Sequence, residues 1–117
     1  MITIYGIKNC DTMQKAMKWL EANGVAYQFH DYRESGIDRK TITNWLKHLP
    51  VEKVINTRST TFRELPPEER EAISGKEAAI KLIMASPTVV KRPLWDFGGD
   101  SFFLGWDEKE IQKLCSR

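Results

Sequence analysis

The sequence contains few cysteines, little net charge and no long apolar run. It has no apolar stretch near the roughly 18 residues that a membrane span needs, and its N-terminus lacks the features of a signal peptide. With 18 basic and 16 acidic residues, its net charge of +2 gives no reason to expect nucleic acid or a membrane surface as a partner. Two cysteines among 117 residues do not form a disulfide scaffold. We therefore expect a monomeric, cytoplasmic protein whose thiols are reduced.

Neighbouring cysteine pairs and clusters of metal ligands are also absent from the sequence. The residue three positions after Cys10 is Met13, which excludes a dithiol mechanism within a Cys-x-x-Cys motif. Cys115 follows Ile111 at helical spacing, so it is either a small core residue or a resolving cysteine. Neither histidine lies at metal-ligand spacing from a cysteine, so we expect no metal site.

Apolar periodicity predicts that the chain begins with an α/β unit. Residues 2–5 and 25–30 alternate apolar and polar side chains, as half-buried strands do. Between them, residues 13–20 carry apolar side chains at the i, i+3, i+4 and i+7 positions of a helix. A strand, a helix and a strand in this order form a βαβ unit, whose strands we expect to be parallel neighbours.

The middle of the chain is predicted to be helical. Asp38 is a candidate N-cap for one helix, and Pro50 ends the apolar pattern that follows it. Ser74, with Glu77 three residues later, has the pattern of a capping box at the start of another helix. Between these two helices, the sequence predicts only short helical pieces and turns.

The last part of the chain is predicted to return to strands and to end in a helix. Residues 88–91 and 102–104 are rich in side chains that favour strands, and residues 98–100 predict a hairpin loop between them. Asp107, with Glu110 three residues later, predicts the N-cap of the final helix.

This order of elements predicts an α/β fold with a thioredoxin-like core. Without its helical middle, the chain would read β-α-β followed by β-β-α. We expect residues 1–34 and 87–117 to form that core, and residues 35–86 to form a helical insertion within a single domain.

Cys10 is the candidate reactive thiol, because it lies where the first strand turns into the first helix. The first amides of a helix lack partners within the helix and carry partial positive charge, so they stabilise a thiolate. Lys8 favours the thiolate as well, whereas the neighbouring Asp11 opposes it. The alternative is a buried structural cysteine, but the polar residues on both sides of Cys10 favour an exposed thiol.

Residues 4–13, Ile-Tyr-Gly-Ile-Lys-Asn-Cys-Asp-Thr-Met, resemble the opening of the arsenate reductase (ArsC-like) family. That family includes glutaredoxin-linked reductases, with the Spx regulators as relatives, and the resemblance points to its YffB-like branch. Arg92-Pro93-Leu94 resembles the family's Arg-Pro-hydrophobic motif, and Thr57-Arg58-Ser59 resembles its mid-chain arginine segment. The resemblance covers essentially the whole chain.

The resemblance implies a role for each matching position. Cys10 corresponds to the nucleophile, and Arg92 to an arginine that stabilises the thiolate or binds an oxyanion. Pro93, placed in the third predicted strand, corresponds to a cis-proline facing the thiol, and Arg58 to a second arginine from the helical segment. The alternatives are solvated arginines and a trans proline in an edge strand. The amides expected around the sulfur are those of Asp11, Thr12 and Met13.

The resemblance implies a thiol reductase with no bound cofactor, for which glutathione is the co-substrate. Glutathione or a glutaredoxin would then resolve the adduct on Cys10. Arsenate-reducing relatives use a third arginine after the last hairpin, but this sequence has none between Arg92 and Arg117 and has Trp106 in that region. Arsenate would lose a charge-assisted bond of about 1.5–3 kcal/mol, so we expect a disulfide or another oxidised substrate.

An alternative is a non-enzymatic regulator that docks on RNA polymerase, as the Spx relatives do. Those relatives resemble one another in being switched through a Cys-x-x-Cys motif. Met13 removes the second cysteine of that motif from this chain, and the reductase is therefore the leading hypothesis.

Overall fold

The computed structural model describes residues 2–72, 75–98 and 101–116. The chain divides into two compact units. Met1–Asp31 and Arg92–Arg117 make up one, called here the sheet unit, and the helical unit consists of Tyr32–Lys91. The predicted division into a core of residues 1–34 and 87–117 and an insertion of residues 35–86 stays a prediction.

The sheet unit begins with β1 (Ile2–Gly6), α1 (Asp11–Ala22) and β2 (Tyr27–Asp31). The two strands pair in parallel, with Ile4 opposite Phe29. The predicted βαβ unit is therefore confirmed, and α1 connects its two strands.

The sheet unit ends with β3 (Leu94–Asp96), β4 (Phe102–Leu104) and α8 (Glu108–Cys115). In the described residues, four strands form a mixed sheet in the order β2-β1-β3-β4, in which β3 is antiparallel to both β1 and β4. Asp107 caps α8 by accepting a hydrogen bond from the Glu110 amide at 3.2 Å. The predicted α/β architecture and the predicted cap of the last helix are both confirmed.

The prediction of a strand over residues 88–91 is wrong. Pro87–Val89 form a 3₁₀ helix, and Val90 makes only an isolated bridge to Ile55. Pro87 favours this turn because its ring fixes φ in the helical range and it has no amide for a strand ladder. Val89 and Val90 are buried, so the apolar run reflects burial within the helical unit, and β3 begins only at Leu94.

In addition to the 3₁₀ helix Pro87–Val89, the helical unit contains α-helices of 4 to 10 residues. They are α2 (Tyr32–Ser35), α3 (Arg39–His48), α4 (Val51–Val54), α5 (Thr60–Arg63), α6 (Pro67–Ala72) and α7 (Lys76–Ala85). Asp38 caps α3 by accepting a hydrogen bond from the Thr41 amide at 2.8 Å, as predicted. The predicted Ser74 cap and part of the predicted loop 98–100 lie outside the described residues. Within the described part of the chain, no helix has the length and apolar character needed to cross a membrane.

Each unit has buried side chains of its own. In the helical unit, α3 and α7 contribute Trp45 and Ile83, both fully buried. Arg39 on α3 also forms an exposed ion pair with Glu77 on α7, and this hydrogen bond lowers the pKa of the Glu77 carboxyl. Such an exposed pair adds little stability. The core cluster of the sheet unit consists of Ile4, Met13, Ala16, Leu20, Trp95 and Ile111.

Candidate active site

Cys10 occupies the N-cap position of α1. Its backbone is extended (φ −136°, ψ 121°), and its carbonyl accepts the Gln14 amide at 3.0 Å, so the chain turns into the helix at this residue. The side chain is half-buried against the core cluster and, among the described residues, makes no capping hydrogen bond. The thiol therefore lies at the end of the helix that carries partial positive charge, and the first-turn amides are not capped by it.

Two contacts from α1 hold the end of β1 and the segment that follows it. Met13 is fully buried, and a Cβ added to Gly6 would lie only 2.4 Å from its sulfur, so a larger residue at this position would force the Met13 side chain to shift. One helical turn away from Cys10, Gln14 donates a hydrogen bond from Nε2 to the Lys8 carbonyl at 3.0 Å. Neither contact was predicted from the sequence. The one signal for them in the sequence is a glutamine in the first turns of a helix, where side chains reach back towards the cap.

Arg92 and Pro93 lie immediately before β3, and not within the third strand as predicted. The Arg92–Pro93 peptide bond is cis, as the resemblance implies. Pro93 is buried and Arg92 is half-buried. The Pro93 carbonyl accepts the Gly105 amide at 2.8 Å, which ties this segment to the residue that follows β4. Both residues belong to the same unit as Cys10.

Arg58 lies in the helical unit and is exposed. Its amide donates a hydrogen bond to the Asn56 side chain at 3.0 Å, within the turn before α5. The structure thus assigns Cys10 and Arg92 to one unit and Arg58 to the other. A role for either arginine at the thiol stays a prediction.

Cys115 lies in the last turn of α8, half-buried against the same core cluster as Cys10. Burial raises the pKa of its thiol, because the charged thiolate is less well solvated there. This environment favours the interpretation of Cys115 as a small core residue.

We expect Cys115 in the folded protein to react slowly with iodoacetamide at neutral pH. Because its pKa is raised, its half-maximal rate should come above pH 9.0, the ordinary value for the thiol. Peptide-resolved mass spectrometry of timed alkylation across pH measures this rate. The urea-unfolded chain is the control, and a midpoint in the folded protein at or below the unfolded one would contradict the prediction.

Trp106, in the region where the resemblance places a third arginine, belongs to a group of packed aromatic rings. It stacks on Trp95 with centroids 6.0 Å apart, and Trp19 meets it edge-on at 6.3 Å. Trp95 also stacks on Phe97 at 5.8 Å, is fully buried, and donates from Nε1 to the Gly105 carbonyl at 2.8 Å. These rings fill space in the sheet unit, and Trp106 supplies no charge for an oxyanion.

The histidines lie apart from any group of candidate metal ligands in the described ranges. His30 on β2 places its ring 5.0 Å from that of Tyr5, and His48 is exposed at the end of α3. Across residues 2–72, 75–98 and 101–116, no group of three or more His, Cys, Asp or Glu side chains could hold a metal ion.

Comparison with known proteins places these features in a family. The model of the ArsC family matches residues 5–114, a range that includes Cys10, Arg58, Arg92 and Pro93. The chain belongs to the ArsC family. The resemblance found in the sequence is thereby confirmed, and this ArsC-family chain is arsenate reductase-like in its fold.

Solved structures similar to this ArsC-family chain agree with that assignment. A YffB protein superposes with a TM-score of 0.91 at 37% identity, covering 98% of this chain and 99% of the other. An arsenate reductase (ArsC) related protein from Brucella melitensis gives a TM-score of 0.75 at 42% identity, covering 96% and 92%. The global transcriptional regulator Spx of Streptococcus pyogenes is 30% identical, over 100% of this chain and 87% of its own. The proteins similar to this chain therefore include both an arsenate reductase related protein and a transcriptional regulator.

Proposed function

We propose that this chain is a thiol reductase that uses Cys10 as its nucleophile and glutathione as its reductant. One observation carries the proposal: Cys10 stands at the N-cap of α1, half-exposed, beside first-turn amides that its side chain does not cap. Membership of the ArsC family supports it. We place the reaction in the cytoplasm, where glutathione keeps thiols reduced.

The proposed reaction transfers two electrons from two glutathione molecules to a substrate disulfide. The Cys10 thiolate attacks one substrate sulfur, and the other sulfur leaves as a thiolate that takes up a proton. A glutathione thiolate then attacks the Cys10 sulfur and releases the second substrate thiol. A second glutathione attacks the glutathione sulfur of this adduct, which restores the Cys10 thiolate and leaves glutathione disulfide. A glutaredoxin can replace free glutathione in the last step.

In this mechanism, positive charge stabilises the Cys10 sulfur as attacking group and as leaving group. The amides of Asp11, Thr12 and Met13 supply partial charge from the helix terminus, and Arg92 supplies a full charge. Pro93 shapes the wall next to the thiol, and Arg58 serves as a second guanidinium for an anionic substrate. Trp106 offers no such charge, which favours a disulfide over arsenate as the substrate.

The proposal is tested by intact mass after the reduced protein is treated with oxidised glutathione. We expect one added glutathione, with peptide mapping placing it on Cys10. The same protein should then regain its original mass when reduced glutathione is supplied. An adduct confined to Cys115, or no adduct at all, would overturn the proposal.

The second candidate is a regulator that binds RNA polymerase, and the 30% identity to Spx favours it. The buried Met13 counts against a switch built on two cysteines at this helix start. Recovery of polymerase in a pull-down, together with no reaction with glutathione disulfide, would support the regulator. Reaction at Cys10 without polymerase recovery would support the reductase.

A further inference from the structure

Gln14 contacts the segment before α1 through two hydrogen bonds. Its backbone amide donates to the Cys10 carbonyl at 3.0 Å, as expected for the first bond of a helix. Its side-chain Nε2 donates to the Lys8 carbonyl, also at 3.0 Å. The side chain itself is exposed, so its placement against this carbonyl is not a consequence of burial.

We propose that Gln14 is a positioning residue for the Cys10 thiol, an inference that rests on the proposed function. The segment from Ile7 to Cys10 joins β1 to α1 and carries the sulfur. Its first part is held by the core, because Ile7 is buried and Met13 covers the adjoining Gly6. Its second part, including Lys8 and Asn9, is exposed. The Gln14 side chain ties this exposed part to the helix.

The bond acts on the backbone, so it holds the segment whatever the Lys8 side chain contacts. It fixes the Lys8 carbonyl relative to α1, and Cys10 follows only two residues later. The thiolate benefits from the helix amides only when its sulfur is held close to them, since that field falls off within the first turn. Loss of the Gln14 donor should therefore lower the reactivity of Cys10 without removing any group that touches the substrate.

The experiment compares Gln14→Met, which keeps the length of the side chain but removes its donor, with Lys15→Met as a matched control. Lys15 is the next residue on α1 and is also exposed. Alkylation of Cys10 by iodoacetamide is followed from pH 6 to pH 10 in both variants and in the parent protein, with Cys115→Ser as the common background. Gln14→Ala is a second donor-free variant, and urea unfolding reports the stability of each protein.

We expect Cys10 to react about fivefold more slowly at pH 7 in Gln14→Met and Gln14→Ala than in the parent. An effect of this size corresponds to the loss of one hydrogen bond. Towards pH 10, their rates should approach that of the parent. Lys15→Met should match the parent in both ranges, and the urea midpoints should differ little because the bond is exposed. Gln14→Arg and Gln14→Lys carry the same charge. A pH 7 rate that is closer to the parent's in Gln14→Arg than in Gln14→Lys would support a hydrogen bond that depends on the geometry of the donor.

Two results would overturn the inference. Equal pH 7 rates in Gln14→Met and the parent would show that Gln14 has no positioning role, and would leave the proposed function standing. An equal loss in Gln14→Met and Lys15→Met would attribute the effect to the helix surface in general. If Cys10 of the parent reacts no faster at pH 7 than in the urea-unfolded chain, the proposed function itself fails. This result is read from the parent alone, so it is distinct from any difference between the variants.

Discussion

Cys10→Ser is expected to lose the glutathione adduct completely, and with it all glutathione-linked reduction of a disulfide substrate. A serine hydroxyl has no sulfur for the mixed disulfide, and it is not ionised near neutral pH. Cys10 stands at the N-cap of α1, a position where serine is a favourable residue, so the variant should fold. Reduction of a glutathionylated peptide, coupled to glutathione reductase, measures the turnover.

Cys115→Ser is the matched control, because it removes the other thiol of the chain. Cys115 is half-buried at the end of α8, and its loss should leave the adduct and the turnover within about twofold of the parent. Turnover retained in Cys10→Ser but lost in Cys115→Ser would assign the chemistry to Cys115 and would contradict the prediction.

Trp95→Ala is expected to destabilise the protein by about 3–5 kcal/mol, the cost of removing a large buried aromatic side chain. Trp95 is fully buried, stacks on both Phe97 and Trp106, and donates to the Gly105 carbonyl. Its removal leaves a cavity and an unpaired carbonyl. Because a domain has only about 5–15 kcal/mol of stability, the variant should be close to unfolding at 37 °C. Urea unfolding followed by far-UV circular dichroism gives the free energy.

Trp95→Phe separates the ring packing from the hydrogen bond. It keeps an aromatic ring between Phe97 and Trp106 but has no donor for Gly105, so its cost should be about 1–2 kcal/mol. A free energy of unfolding for Trp95→Ala within about 1 kcal/mol of the parent would contradict the cavity argument.

Features that depend on local sequence were predicted well. Alternation predicted strands over residues 2–5 and 25–30, and the observed strands β1 and β2 fall within two residues of those bounds. The Asp38 and Asp107 caps need only a carboxylate three residues before an amide. The position of Cys10 at a helix start follows from the change of period after β1. Each of these signals lies within a few residues of the structure it specifies.

Features that depend on distant residues were predicted poorly. Residues 88–91 have the composition of a strand, yet Pro87 starts a 3₁₀ helix there and burial accounts for the apolar side chains. Strand propensity describes a side chain that fits a half-buried pleated surface, and it does not say which surface buries it. β3 instead consists of three residues, from Leu94 to Asp96, too few to show an alternating pattern.

The candidate site could be predicted in part, for the same reason. Cys10 and its first-turn amides are adjacent in sequence, so their arrangement followed from helix geometry. The cis bond at Arg92–Pro93 was implied by the family resemblance alone, since no local pattern indicates the isomer. The hydrogen bond from Gln14 to Lys8 depends on the path of the connecting segment, which composition does not specify.

The buried Met13 side chain limits the ways in which an oxidised Cys10 could be reduced. Its sulfur is packed beneath the backbone of Gly6. Met13 occupies the sequence position at which a Cys-x-x-Cys protein has its second cysteine. No second cysteine lies on the same helical turn as Cys10, so under the proposed function an oxidised Cys10 would be reduced by a thiol from solution and not by a disulfide formed within that turn. The lifetime of that oxidised state would therefore follow the concentration of small thiols around the protein.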